Sequence, residues 1–314
     1  MADQLEPSKK ARAYVTGRFE LQLDGPKPTV GILHSVDGGQ FKSEPIGEKV
    51  GGDGLVTRYP GRQKFEDITI QCGTSMGPQF WDWLRDSIQN KPSRRNGDII
   101  ALDFDGCRRS RRRFMDALIS EIQFPALDAK SKEPKRLTIK IAPEQLKYFP
   151  ETGPTSKNPG DISMQAQKRQ TAENFVMHID GLSDDATRRI NKIDAFSVKQ
   201  TIIENPSGGL LFTRREAGRV EFPTLSLYVV ESYVQPFMDW WEEFVGKGNH
   251  THDKERNGSI TYLDGTLRKE IGSISLQGMG ITGITFDKHD GHSEGIRNAK
   301  IDLYVESLDF KFTG

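Results

Sequence analysis

The spacing of apolar and polar positions changes period inside residues 65–88, and later parts of the chain repeat that change. Ile68, Ile70 and Cys72 alternate with Asp67, Thr69 and Gln71, the period of two that marks a half-buried strand. From Phe80 the spacing becomes helical. Phe80, Trp83, Leu84 and Ile88 share one face, with Asp82, Arg85 and Asp86 off it. Gly73, Gly77 and Pro78 stand at the switch. An amphipathic helix this short needs a sheet to cover, so strand, turn and helix are predicted to form one packing unit.

The unit recurs. Thr224-Leu-Ser-Leu-Tyr-Val-Val230 alternates as a strand, and Gln235 to Val245 follows as a helix carrying Phe237, Trp240, Trp241 and Phe244. Phe80-Trp-Asp-Trp-Leu84 aligns with Phe237-Met-Asp-Trp-Trp241, and all four tryptophans lie in these two segments. Two further echoes keep the same order: Phe19-Glu-Leu-Gln-Leu-Asp24 with Phe175-Val-Met-His-Ile-Asp180, and Ile139 to Leu146 with Ile301 to Leu308. Ordered matches predict a tandem repeat. The expected division is a first domain over 12–151, a linker over 152–171 rich in Pro, Gly, Ser, Lys and Gln, and a diverged second domain over 172–314. The expected fold is mainly β (α+β): two antiparallel sandwich or barrel domains, each with one flanking amphipathic helix. Phe80, Trp83, Leu84, Phe237, Trp240 and Trp241 are the expected core of those helices.

Residues 38–64 lie between strands and are rich in glycine and charge. A structureless loop of that length is unusual in a compact domain. An extended hairpin with its tip at Gly51-Gly-Asp-Gly54 is the better reading, and a protruding hairpin is an interaction arm. Arg58, Tyr59 and Arg62 on it offer stacking and bidentate partners suited to an interface.

Composition narrows the function. Lys+Arg and Asp+Glu both number 44, so no global field points to nucleic acid, and weak self-repulsion permits self-assembly. The two cysteines, Cys72 and Cys107, suggest no disulfide framework. No apolar run reaches membrane-span length, and the first ten residues lack the apolar core of a signal peptide. No glycine-rich phosphate loop, Ser/His/Asp signature or zinc motif is present, so the expectation is no enzyme, no cofactor and no metal. Asp103-Phe-Asp-Gly106 contains a carboxylate pair but reads first as a hairpin turn. His250, His252 and His289-Asp-Gly-His-Ser-Glu294 read as solvated loops. The basic run Arg108-Arg-Ser-Arg-Arg-Arg113 supports an alternative, a nucleic-acid-binding module. It follows a turn and enters a strand, so its arginines are expected to face solvent or a subunit boundary, and no stacking aromatics interleave it.

Several stretches of the first half together resemble one family. Gly17-Arg-Phe-Glu-Leu-Gln-Leu-Asp-Gly25, Tyr59-Pro-Gly-Arg-Gln-Lys-Phe-Glu-Asp-Ile-Thr-Ile70, Trp81-Asp-Trp-Leu84 and Leu127-Asp-Ala129 look like the inner tail tube proteins of contractile phage tails and related contractile injection systems. The run beginning Pro60-Gly-Arg62 is the most specific, and in the second half Gly218-Arg-Val-Glu-Phe222 stands in its place. The resemblance implies a flattened barrel or two packed sheets flanked by a helix. It implies rings of six domains whose sheets join, with the hairpin reaching neighbouring subunits. Joined sheets also remove edges that strand-rich domains must otherwise protect. On this reading Arg58, Tyr59, Pro60, Gly61, Arg62, Lys64 and Phe65 make inter-subunit contacts. The implied partners are further copies of the chain, in stacked trimeric or hexameric rings, and the sheath and baseplate or hub proteins of the same assembly. Nucleic acid enters only as passing cargo, and no membrane is involved. Assembly is expected in the cytoplasm, in a virion tail or injection particle, as main tube or as an adaptor ring near the baseplate.

Overall fold

A computed structural model describes residues 17–24, 29–49, 56–91, 93–131, 135–150, 174–206, 212–264, 266–288 and 297–312. The hairpin tip at 51–54, the linker at 152–171 and the histidine cluster at 289–294 fall outside them.

In the first half, strands β1 (Arg18–Leu23), β2 (Thr29–Gly38), β3 (Phe41–Lys49), β4 (Val56–Phe65) and β5 (Ile68–Cys72) precede helix α1 (Pro78–Ile88). Strands β6 (Arg95–Leu102), β7 (Arg108–Phe124), β8 (Leu127–Asp128), β9 (Leu137–Ala142) and β10 (Gln145–Pro150) follow. Pairings run β7-β6-β1-β2-β5-β9 and return from β9 to β7, so six strands close a barrel. Closure leaves no unpaired edge within the ring of strands. Sequence alternation explains which residues line it: Leu21, Ile68, Ile70, Phe114 and Ile139 are fully buried. The β6–β7 turn is the expected Asp-Gly hairpin, with Gly106 at φ 76, a backbone region glycine enters without penalty.

The second half runs β11 (Phe175–Ile179), α2 (Asp184–Thr187), β12 (Ile190–Ile193), β13 (Phe196–Asn205), β14 (Arg214–Glu221), β15 (Thr224–Val230), α3 (Gln235–Trp241), β16 (Arg256–Leu263), β17 (Glu270–Phe286) and β18 (Asn298–Phe312). Its pairings copy those of the first half in register. In β7–β9, Leu118 faces Ala142 and Ile119 faces Ile141, then a bulge brings Glu121 opposite Lys140. In β17–β18, Gly280 faces Tyr304 and Ile281 faces Leu303, then a bulge brings Gly283 opposite Asp302. The β3–β4 and β13–β14 hairpins share a bulge in the same way, since Ser43–Gln63 and Pro45–Pro60 correspond to Gln200–Val220 and Ile202–Ala217.

One pairing is missing from the copy. In the first half β1 pairs with β2, but β11 pairs with β16 and β12 with β15, and among the described residues nothing joins β11 to β12. The second unit is therefore a half-barrel. Its open edge at β12 is taken by β8 of the first half, with Lys192 opposite Asp128 and Ile193 opposite Leu127. In exchange β13 extends the first sheet along the end of β7, from Phe196 opposite Phe124 to Lys199 opposite Glu121. Apolar residues of both halves form one continuous buried cluster.

Candidate assembly interface

The hairpin β3–β4 is a separate two-stranded sheet. Every described residue of it except Gly61 and Phe65 is exposed. Lys42 pairs with Glu66 just beyond the hairpin, and three further side-chain bonds are internal to it. Tyr59 Oη donates to Glu48 at 2.8 Å, Lys64 Nζ to Glu44 at 2.7 Å, and Ser43 Oγ to the Gly61 carbonyl at 3.0 Å. Arg58, Tyr59, Pro60 and Arg62 thus sit on a stalk projecting from the barrel, with Gly61 half-buried. Phe65 is buried at its root, against Phe41 with ring centroids 5.7 Å apart.

The root is clamped by the second half. Arg215 of β14 donates to Asp67 at 2.8 Å and to the Phe65 carbonyl at 2.8 Å. Its own backbone N–H donates to the buried Glu144 at 2.9 Å, and Arg94 bonds both Glu144 and the Arg215 carbonyl. Arg215 stands in the second repeat where Arg58 stands in the first, a correspondence the hairpin register makes visible.

Helix α1 fills the space between its own barrel and β18. Phe80, Trp83 and Leu84 are fully buried. Trp83 stacks on Phe114 at 6.2 Å and donates Nε1–H to the Ser93 carbonyl at 2.8 Å. Trp81, absent from the face expected from helical spacing, is only 3% exposed because β18 covers it. Its ring lies 6.0 Å from Phe310 and 4.7 Å from Phe312. The tryptophan in Phe80-Trp-Asp-Trp-Leu84 without a counterpart in α3 was the available signal, since Met238 replaces it there. In α3, Phe237 and Trp240 are buried, whereas Trp241 is only partly so. Only one face of α3 is covered, and the next turn widens to a π-helix over Glu242–Gly246 with Phe244 buried.

The arginine run differs from expectation. All five of its arginines are half-buried and held within the chain rather than presented to solvent. Arg109 pairs with Asp103 at 2.5 Å, Arg113 with Asp24 at 3.1 Å and Asp98 at 3.2 Å, and Arg112 donates to the Gly38 carbonyl at 3.1 Å. Arg111 lies 4.5 Å over the Phe149 ring. The pairing follows from a long strand crossing a barrel whose neighbours carry carboxylates. Asp103 accepts the backbone N–H of Cys107 and Asp105 as well as Arg109, and these bonds hold its carboxyl below the usual range. It is a turn-organising residue, as its sequence context suggests. Burial pushes the Cys72 thiol up to about 12, so it is an inert core residue.

His252, Glu255 and Glu306 bring a ring nitrogen and two carboxylates within 4.8 Å of one another. His252 Nδ1 is 2.9 Å from Glu255 and 3.6 Å from Glu306, and Tyr304 Oη donates to Glu255 at 2.7 Å. Ion pairs and a hydrogen bond account for the arrangement. Among the described residues no helix is long and apolar enough to cross a membrane.

No curated protein matches the chain in sequence. Among solved structures, a chain of the sheath–tube complex of the extracellular contractile injection system PVC, in its extended state, is 11% identical with a TM-score of 0.37. The match covers 48% of this chain and 99% of that one. A chain of the cap of the anti-feeding prophage, a tube-terminating cap, is 13% identical with a TM-score of 0.37, covering 50% and 98%. A chain of the PVC sheath/tube terminator in the extended state is 19% identical with a TM-score of 0.37, covering 44% and 97%. The profile of T4-like virus tail tube protein gp19 matches residues 15–147, the stretch that folds into the closed barrel with its arm and α1. Over residues 15–147 the chain is similar to the T4-like virus tail tube protein gp19 family.

Proposed function

We propose that this protein is a structural subunit of the inner tube of a contractile phage tail or contractile injection system, without catalytic activity. The observation that carries the reading is the family match over the closed barrel, reinforced by a second, open copy of the same strand order on one chain. A barrel with a projecting hairpin suits assembly. The hairpin leaves Phe41, Ile46, Val56 and Tyr59 outside any core of the isolated chain, and exposed apolar surface on a hairpin edge is a contact waiting for a neighbour.

The unit acts by closing into rings that stack into a conduit, with Arg58, Tyr59, Pro60, Gly61, Arg62, Lys64 and Phe65 on or beneath the contact surface of the arm. Sheath and baseplate or hub proteins are its expected outer partners, and any nucleic acid is cargo. Three chains would supply six tube units, matching a threefold hub to a sixfold tube; six chains would place the second units in another layer. Negative-stain imaging of the purified protein tests the reading. Rings or tubes are expected, with a ring mass corresponding to three chains of 35.4 kDa. A protein that stays monomeric at every concentration overturns it, and six chains overturn the trimer alone.

A further inference from the structure

The contact between the two halves is a head-to-tail contact between unlike ends of two copies of one unit. Such a contact need not stop at the chain boundary, because a heterologous interface generates a ring or filament when repeated. At the end of β7, at β3, at β10 and after α3, the contacts between the halves have counterparts whose side chains are exposed or half-buried.

At the sheet, the end of β7 pairs with β13, placing Ile122 opposite Val198, and Ile122 and Phe124 are buried as a result. Ile284 and Phe286 hold the corresponding positions at the end of β17. There, among the described residues, no strand pairs along the edge opposite β18 beyond Met279. Ile284 is half-buried and Phe286 is 46% exposed. The hairpin register puts Phe41 at the place of Val198, and Phe41 is 55% exposed on a strand whose outer edge is likewise unpaired among the described residues. Phe124 also meets Phe310 of β18 at 5.9 Å. The β7–β10 register puts Tyr148 at the place of Phe310, and Tyr148 is 50% exposed. Three of the large exposed rings of the molecule are therefore the unmatched equivalents of one buried cluster.

The polar contacts follow the same rule, one with its charge reversed. Arg85 of α1 reaches Asp309 at 3.5 Å and the Phe310 carbonyl at 3.1 Å. The equivalent pair is Glu242, after α3, and Lys147 of β10, both exposed. The backbone N–H of Arg215 donates to Glu144, and the equivalent pair is Arg58 and Glu306, an arginine and a glutamate again.

We propose that the end of β17 in one copy of this chain adds to the outer edge of β3 in the next. Ile284 then lies opposite Phe41, Phe286 against Tyr148, and Glu242 beside Lys147. The inference rests on the ring-forming reading above. Reversal of the Arg85–Asp309 charges has a specific effect. A first unit docked on another first unit would set Arg85 against Lys147, and a second unit on a second would set Glu242 against Asp309. Both wrong orders place like charges together, so the two unit types alternate around the ring.

The test is cross-linking of the full chain carrying both Phe41→Cys and Ile284→Cys, with a short bis-maleimide, read on a denaturing gel beside the ring mass in native buffer. Native Cys72 and Cys107 are buried, and each single variant serves as background. Expected is a ladder ending at the covalent ring, in the double variant alone. Rings without a ladder overturn this interface and leave the ring-forming function standing. A parent chain that forms no rings overturns both. If the Phe41→Cys substitution itself blocks assembly, Lys147→Cys with Glu242→Cys reads the same contact from outside the sheet. A missing ladder in assembled rings of that pair overturns the proposal equally.

Discussion

Phe124 ends β7 and Phe196 begins β13, and their rings stack at 4.9 Å with planes 22° apart. This pair joins two residues far apart in sequence and belonging to different repeats, and both rings are buried. Around it the halves exchange strands, β8 into the second sheet and β13 into the first. With one buried cluster continuous through both halves, the chain is expected to melt as one unit. Phe124→Ala is expected to cost about 3–5 kcal/mol, as a large ring removed from a packed interior does. Calorimetry of that variant should show one transition moved down as a whole. Two separated transitions would show that the halves fold independently.

Trp83 and Trp240 occupy equivalent places in α1 and α3 but differ in one respect. Trp83 Nε1–H has an acceptor in Ser93 O, whereas the buried Trp240 Nε1 has no hydrogen-bond partner among the described residues and its ring carries Arg256 at 4.7 Å. An alanine at either site should cost about 3–5 kcal/mol. Phenylalanine should separate them. Trp83→Phe leaves the Ser93 carbonyl unpaired, a loss of about 1–3 kcal/mol beyond the packing change, while Trp240→Phe removes an orphaned donor and should lose less. Chemical denaturation of the two variants checks the order, and equal losses would contradict it.

His252 is exposed, and its hydrogen bond to Glu255, followed by the charges of Glu306 and Glu255, raises its pKa above 6.5. A raised folded-state value means the imidazolium is favoured by folding. Its stabilising contribution is complete below pH 6.5 and fades as pH rises through the folded value. An NMR titration of the His252 ring should give a midpoint above 6.5, and Glu255→Gln should move it down. A midpoint at or below 6.5 in the parent would contradict the geometry.

Much of this fold is legible in the sequence, because periodicity reports which face is buried. Alternation at Ile68, Ile70 and Cys72 and helical spacing at Phe80, Trp83 and Leu84 match the burial of β5 and α1. Repeats of the same pattern at Leu225, Leu227 and Phe237 place the second copy. What periodicity cannot report is the partner on the far side of an element. Trp81 looks like a surface position on one amphipathic helix until β18 arrives over it. The open β11–β12 seam is invisible for the same reason, since strand pairing between distant segments leaves no local trace. The arginine run misleads in the opposite direction. Five like charges suggest a solvated face, yet Asp24, Asp98 and Asp103 lie across neighbouring strands to meet them. In the arm, Arg58, Tyr59 and Arg62 are readable as exposed, but the clamp at its root depends on Arg215, far away in the second repeat.

Arg215 is the polar counterpart of the Phe124–Phe196 stack. It ties the arm root through Asp67 and the Phe65 carbonyl, and its side chain is only 12% exposed. Arg215→Met keeps much of the stem's packing but leaves the Phe65 carbonyl and Asp67 without this donor. A loss of about 1–3 kcal/mol is expected for groups so stranded. Hydrogen exchange should locate it, with faster exchange in β14 and at the β4–β5 junction and little change in β16–β18. Uniform acceleration across the chain would mean that Arg215 supports the whole fold rather than the clamp.

A cut in the expected linker gives the last test. A protease site inserted within residues 152–171 allows the full chain to fold first and be severed afterwards. Two tethered domains would drift apart once the tether is cut. Here the reciprocal strands β8–β12 and β7–β13, the Phe124–Phe196 stack, the Trp81–Phe312 contact and the Arg215 clamp all cross between the pieces. Separating them would expose the open edge of β12 and the end of β7, together with the apolar residues buried between the halves, which water disfavours at about 25 cal/mol per Å². The severed chain is therefore expected to elute as a single species of 35.4 kDa per pair of pieces. It should come apart only in denaturant, at the concentration that unfolds both halves. Elution of two free fragments in native buffer would mean that the halves are held together by the linker alone.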